Sequence, residues 1–351
     1  MSSTSIIRSG KHAILFFAFL VLLLLLFGLD VAIGSVYIPI TEVIESLREG
    51  SDSTYGKILF LFRLPKAFTA IFAGGALSLC GLMMQNLFRN PLAGPSVLGI
   101  TSGASIGVAA VLLTSGFSAT NYIINQIDLD FGILIFLAAS VGAASIMFLI
   151  LFVASKIQDN IVLLLVGIMI GNIALSVISI WQYFARPEQI QDFLFWTLGS
   201  LSGVNNQKLF LLGVVVFSVT ILIFLISNQL NLLLTGRNYA SSMGLNYRST
   251  RFFIIIFSSL LTGVITGFCG PIGFVGIAVP HLARSIFNTS NHRLLIPACF
   301  LIGGSLLLFC DIIAHLPASQ YVLPINAVTA LIGSPIVIWV IVKNRNLHSS
   351  F

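Results

Sequence analysis

Ten stretches of this chain are apolar over most of their length, near residues 13–33, 66–86, 96–115, 131–154, 161–184, 208–227, 252–269, 272–288, 294–315 and 322–342. Each is close to the roughly 20 residues that an α-helix needs to cross a hydrocarbon layer. A soluble core has no room for so much apolar surface: 57% of the residues are hydrophobic and 8% are charged, against about 25% charged in an ordinary soluble domain. The sequence therefore specifies an all-α polytopic membrane protein of about ten transmembrane helices. What remains is short connections and two tails, at 1–12 and 343–351, so residues 1–351 are expected to form one domain with its bundle at 13–342. Arg8 and Lys11 ahead of the first apolar run could pass for a signal peptide, but the run is long and no small-residue cleavage site follows it. The expectation is an uncleaved first span.

Charge orients the bundle, because Lys and Arg near span ends favour the cytoplasmic side. With the N-terminus inside, the inner segments hold 11 basic residues, among them Arg89, Lys156, Arg237, Arg248 and Arg251, and one acid, Asp159. The outer segments hold 6 basic residues and 10 acids, including Glu42, Glu45, Glu49, Asp52, Asp128 and Asp130. The asymmetry places both termini in the cytoplasm, accounts for the net charge of +6, and gives no reason to invoke nucleic acid. Cys80, Cys269, Cys299 and Cys310 all lie in apolar stretches without Cys-x-x-Cys spacing, as packing residues would.

Three connections are longer than a helix hairpin needs: 34–62 and 186–207 outside, and 228–251 inside. The segment 186–207 carries Phe193, Phe195 and Trp196 beside Gln and Asp, a composition suited to the membrane interface. The inner one, "LNLLLTGRNYASSMGLNYRSTR", reads as two short helical pieces broken at Gly236 and Gly244, and resembles a docking element more than a loose linker.

The stretch "FRNPLAGPSVLGITSGASIG" places Gly99, Gly103 and Gly107 at i, i+4 and i+8, on one helix face where a neighbouring backbone could approach. It also spells Gly103-Ala-Ser105-Ile-Gly107, the G-x-S-x-G pattern of nucleophilic serines. That pattern needs a strand-turn-helix setting with His and Asp partners, and here it falls inside an apolar helix. An intramembrane hydrolase built on Ser105 is thus a minor alternative. Asp311 and His315 stand at i and i+4 near the outer end of the ninth span, either as a satisfied polar pair or as a contact for an external partner. No carboxylate lies deep in a span, which counts against an ion-coupled secondary transporter. His281, three residues before Arg284, is read as a structural hydrogen-bonding residue, with no second ligand at metal spacing. A phosphate-binding G-x-x-x-x-G-K-[ST] loop is missing, so nucleotide chemistry would have to come from another chain.

Four segments in register, "RLPKAFTAIFAGGALSLCGLMMQNLFRNPLAGPSVLGITSGASIG", "GPIGFVGIAVPHLAR", "HRLLIPACFLIGGSLLLFCDIIAH" and "LPINAVTALIGSPIVIWVIVK", together resemble the permease family of ABC importers for iron chelates, haem and cobalamin. The resemblance runs from about Arg63 to Lys343. It implies ten helices per subunit in the inner (plasma) membrane of a bacterium, paired as a homodimer or with a related permease around a central path. Two cytoplasmic ATPases would bind ATP and Mg, a periplasmic or lipid-anchored binding protein would deliver cargo, and this chain would hold no cofactor and catalyse no reaction. The cargo it implies first is a ferric siderophore, with haem or cobalamin as alternatives.

By the same resemblance, Ala240-Ser241-Ser242-Met243-Gly244 match the helix that seats in the ATPase. Arg63, Lys66 and His315 match basic positions that meet carboxylates of the binding protein. Lysine and histidine stand where relatives often carry arginine, so the bidentate fork is lost at both. Asn90 and Leu92 match one side of an inner gate. Asn160 and Ile161 occupy the other side, where relatives can carry small hydroxyl residues.

Overall fold

A computed structural model of the chain describes residues 3–33, 53–114, 131–157, 159–315 and 322–343. Glu42, Glu45, Glu49, Asp52, Asp128, Asp130 and the tail beyond residue 343 lie outside the described residues. The described chain is helical: α1 (Ser3–Ala32), α2 (Thr54–Phe88), α3 (Ile100–Leu112), α4 (Phe131–Lys156), α5 (Asn160–Phe184), α6 (Pro187–Leu198), α7 (Asn206–Leu225), α8 (Ser227–Leu233), α9 (Arg237–Ser242), α10 (Tyr247–Cys269), α11 (Val275–Phe287), α12 (His292–Ala314) and α13 (Ile325–Lys343). Seven of these are long and apolar enough to cross a membrane, and α3, α11 and α13 contribute three shorter apolar segments. Together they coincide with the ten segments read from the sequence.

The largest departure from the expected boundaries is at α2. It begins at Thr54, well before Lys66, and takes the last part of the expected 34–62 connection with it. Pro65 suggests a helix start, because inside a helix it lacks the N–H for an i−4 bond and crowds the preceding turn. The chain escapes through a π-helical turn at Leu59–Arg63, where the Leu64 N–H reaches back five residues to the Leu59 carbonyl. The extra residue makes room for the ring. Arg63 and Lys66 therefore sit within a continuous helix rather than at its mouth.

α2 is the centre of the bundle. Its apolar window is 83% buried, against 17–22% for α1, α4, α5 and α7, and it packs on α10, α11 and α12. In lipid there is no hydrophobic force between helices, so association relies on close van der Waals contact and interhelical hydrogen bonds. α2 has both. A methyl group at Gly74 would collide with the Gly303 carbonyl of α12, and one at Gly81 with the Gly276 carbonyl of α11. Between these crossings the Ser78 hydroxyl donates to the Cys299 carbonyl at 2.8 Å.

The same device joins α3 to α4. Gly103 lies against Gly142 and Ile146, and Gly107 against the Ala138 carbonyl. Those two glycines form the expected contact face. Gly99 does something else: with φ of 74° it is the turn between a 3-10 segment, Pro95–Leu98, and α3. It faces α5 at Gly167 and Gly171 rather than α4, so the three glycines do not make one stripe. The Ser105 hydroxyl donates to the Thr101 carbonyl of its own helix at 3.1 Å. All four cysteines are buried.

Gly81→Val should lower the thermal unfolding midpoint, with a penalty of about 1–3 kcal/mol or more for overpacking a closed contact. Gly203→Ala, where nothing lies within 4 Å of the added methyl, is the control and should leave the midpoint unchanged.

Candidate functional site: an inner gate wired to a coupling helix

α2 ends at the cytoplasmic side with Arg89 in the left-handed region, φ 48°. The Asn90 N–H then returns to the Gln85 carbonyl, and the Asn90 side chain accepts from the Leu92 N–H at 2.9 Å. The result is a tight turn that exposes Leu92. A ring nitrogen of His281 lies 2.7 Å from the Pro91 carbonyl, which ties the turn to α11. Arg284, one turn on, donates to Gln85 at 2.7 Å, and Gln85 donates to the Ile277 carbonyl. His281 is thus a hydrogen-bonding residue, as its surroundings in the sequence imply.

Asn160 opens α5, capped by Asp159, whose carboxylate accepts from the Ile161 N–H. The Asn160 amide donates to the Leu87 carbonyl at 2.5 Å and to the Tyr247 hydroxyl at 2.6 Å. Asn160-Ile161 is therefore held to the last turn of α2, the helix that leads into the Asn90-Pro-Leu92 turn. Ile161, like Leu92, leaves its apolar side chain exposed.

The 228–251 connection folds as two short helices, α8 and α9, with breaks at Gly236 (φ 94°) and Gly244 (φ 87°). α9 closes with the Gly244 N–H on the Ser241 carbonyl and the Leu245 N–H on the Ala240 carbonyl. This is a Schellman cap, which requires a left-handed residue where Gly244 stands. Ala240 and Leu245 are buried beneath it, while Ser241, Ser242, Met243 and Gly244 are exposed. The helix is anchored on one side and offers the other.

The gate and this helix are joined by two contacts that no spacing in the sequence announced. A guanidinium N–H of Arg89 donates to the Leu234 carbonyl at 2.9 Å, and the same group lies against Gly236. On the other side, Tyr247 accepts from Asn160 while its ring lies under the Arg237 guanidinium, 5.2 Å from centroid to carbon. Arg237 is the first residue of α9. α2 is further held to α8 by the Asn86 amide, which donates to the Leu230 carbonyl at 2.8 Å and lies 3.3 Å from His292.

At the outer end the expected docking residues are differently placed. Arg63 is buried and donates to the Val31 and Ala32 carbonyls at 2.6 and 2.8 Å, satisfying the last carbonyls of α1. Lys66 is 6% exposed and lies 2.7 Å from Asp311 of α12 and 3.5 Å from Asp30 of α1. His315 contacts Asp311 through its carboxylate at 3.4 Å and its backbone carbonyl at 3.1 Å. Two of the three side chains are thus turned into the bundle, where they clamp α1, α2 and α12. Asp30, near the end of the first span, was not singled out in the sequence. The signal was a third charge at an outer span end, but nothing in spacing ties it to Lys66.

A profile of the FecCD transport family matches residues 21–343. The chain belongs to the FecCD transport family. It is 34% identical over 331 residues to the vitamin B12 import system permease protein BtuC of Klebsiella pneumoniae, covering 94% of this chain and 93% of that one. The BtuC of Citrobacter koseri is also 34% identical, over 81% of this chain and 82% of its own. A solved structure described as an inward-facing conformation of a metal-chelate type ABC transporter superimposes with a TM-score of 0.79 at 26% identity, over 95% of this chain and 99% of that one. This FecCD member is an ABC importer permease with an all-helical, multi-pass fold.

Lys66 distinguishes a clamp from a docking site. Lys66→Met should leave Asp30 and Asp311 facing each other and cost about 3–5 kcal/mol, as breaking a buried pair does. The measurement is the thermal unfolding midpoint in detergent, which a purely external contact would leave unmoved.

Proposed function

We propose that this FecCD permease pairs with a second copy of itself in the bacterial inner membrane and carries a bulky metal chelate inward along the path between the copies. ATP is hydrolysed, with Mg, on two cytoplasmic ATPase subunits that seat on the exposed face of α9. A periplasmic or lipid-anchored protein delivers the cargo from outside. The observation that carries this reading is the pair of contacts, Arg89 to Leu234 and Asn160 through Tyr247 to Arg237, that links the gate turn to α9. Motion of α9 is passed to Asn90, Leu92, Asn160 and Ile161 through two hydrogen bonds and the stacking of Arg237 on Tyr247.

The cargo class is a metal chelate. The ferric-siderophore reading rests on motifs shared across the family, and the cobalamin reading is favoured by the vitamin B12 importers among the relatives. A central path has to let such a solute slip past, so selection among chelates falls to the binding protein. Outside, with Lys66 committed to Asp30 and Asp311, His315 is the member of the original three most available to a partner.

The test is uptake into proteoliposomes that contain the permease, its ATPase and its binding protein, with radiolabelled ferric siderophore and cobalamin offered separately. The proposal expects ATP-dependent accumulation of one of the two, unaffected by collapsing ion gradients. Uptake that persists without the ATPase, or that stops when the gradient is collapsed, would sink it and favour an ion-coupled secondary transporter.

A further inference from the structure

Beside α9 lies a cavity of about 680 Å³ between the end of α4 and the start of α10. Four cations line it: Lys156 from α4, Arg237 from α9, and Arg248 and Arg251 from α10. Among the described residues no carboxylate lines it. Asp159, which lines the neighbouring cavity beside the gate, is engaged in capping α5. Three of the four cations are held in place by the protein. Arg248 donates to the Ser155 carbonyl at 3.4 Å, Arg237 rests on Tyr247, and Arg251 is buried. The first turn of α10 is already capped by Asn246, which accepts from the Ser249 N–H, so an anion here would be held by side chains.

Beyond Arg251 along α10 the lining turns apolar, with Phe252 and Ile255 facing Leu151 of α4. The cavity is therefore charged toward the cytoplasmic ends of two spanning helices and greasy toward the membrane interior. A free phosphate or a soluble nucleotide would use only the first half of that lining. A basic pocket between spanning helices on the cytoplasmic side is a recurring setting for anionic lipid headgroups.

We propose that this cavity binds an anionic phospholipid of the cytoplasmic leaflet, its phosphate among Lys156, Arg237, Arg248 and Arg251 and its acyl chains along Phe252 and Ile255. The inference rests on the cytoplasmic orientation of this face given above, and it goes beyond transport itself. Because Arg237 belongs both to this cavity and to the link between gate and α9, a bound lipid would hold α9 at its root.

The experiment is native mass spectrometry of the full-length protein released from detergent after titration with dioleoyl phosphatidylglycerol or dioleoyl phosphatidylcholine. The wild type should retain the anionic lipid preferentially. Lys156→Gln and Arg248→Gln, both at exposed positions, should each reduce that preference about fivefold, the effect of removing roughly 1 kcal/mol per cation. Equal retention of the two lipids by the wild type, or a preference unchanged in the double variant, would overturn the proposal. Displacement of phosphatidylglycerol by millimolar glycerol phosphate would also overturn it and assign the cations to a soluble anion. Loss of ATPase co-purification in the double variant with lipid selectivity intact would assign them to the ATPase instead. Lipid selectivity is read without transport, so its failure leaves the import reading standing, and failure of import leaves the selectivity result intact.

Discussion

Everything in this protein depends on how closely α2 can approach its neighbours. In water the burial of apolar side chains would drive the helices together; in lipid the surrounding chains are as apolar as the helices, and that drive is lost. What replaces it is backbone-to-backbone contact, at Gly74 with Gly303 and Gly81 with Gly276, reinforced by the Ser78 hydroxyl on the Cys299 carbonyl. These contacts make α2, α11 and α12 one body. α3 and α4 are joined by the same means at Gly103, Gly107, Gly142 and Ala138.

The charged side chains of that body lie at its two ends, where they serve different purposes. At the outer end Lys66 lies between Asp30 and Asp311, and Arg63 covers the last carbonyls of α1. This arrangement fixes three helices in register, since any relative sliding would strand a charge in a dry interior. At the inner end Gln85, Asn86 and Arg89 reach outward from α2 to α11, to α8 and to Leu234 at the break between α8 and α9. One helix thus runs from the outer clamp to the candidate gate turn and reaches the connection that carries α9.

Much of this was legible in the sequence, for physical reasons that also explain the failures. Span positions follow from composition, because lipid tolerates little else. The two short helices at 227–242 were legible because Gly236 and Gly244 mark backbone conformations that other residues avoid. Gly103 and Gly107 were legible as a contact face because helical spacing is a local property. Gly99 shares the spacing but not the role, since spacing cannot reveal that its φ is positive. α2 starts ahead of the apolar stretch that begins near residue 66, because the π-helical turn that carries the helix past Pro65 is not written in residue types. The partners of Lys66, Arg89 and Tyr247 were out of reach for a different reason. Each lies far away in the sequence, and only the packed structure brings those segments together.

If the contacts of Arg89 and Tyr247 transmit motion, the turn at Leu92 and α9 of one subunit move as a unit. Leu92 and Met243 are both exposed, so spin labels can be attached there without disturbing the core. Pulsed electron spin resonance on the reconstituted transporter, with and without ATP, would give the Leu92–Met243 distance within one subunit and the Leu92–Leu92 distance across the pair. The first distance should stay constant while the second changes. A Leu92–Met243 distance that shifts with ATP as much as the Leu92–Leu92 distance would contradict it.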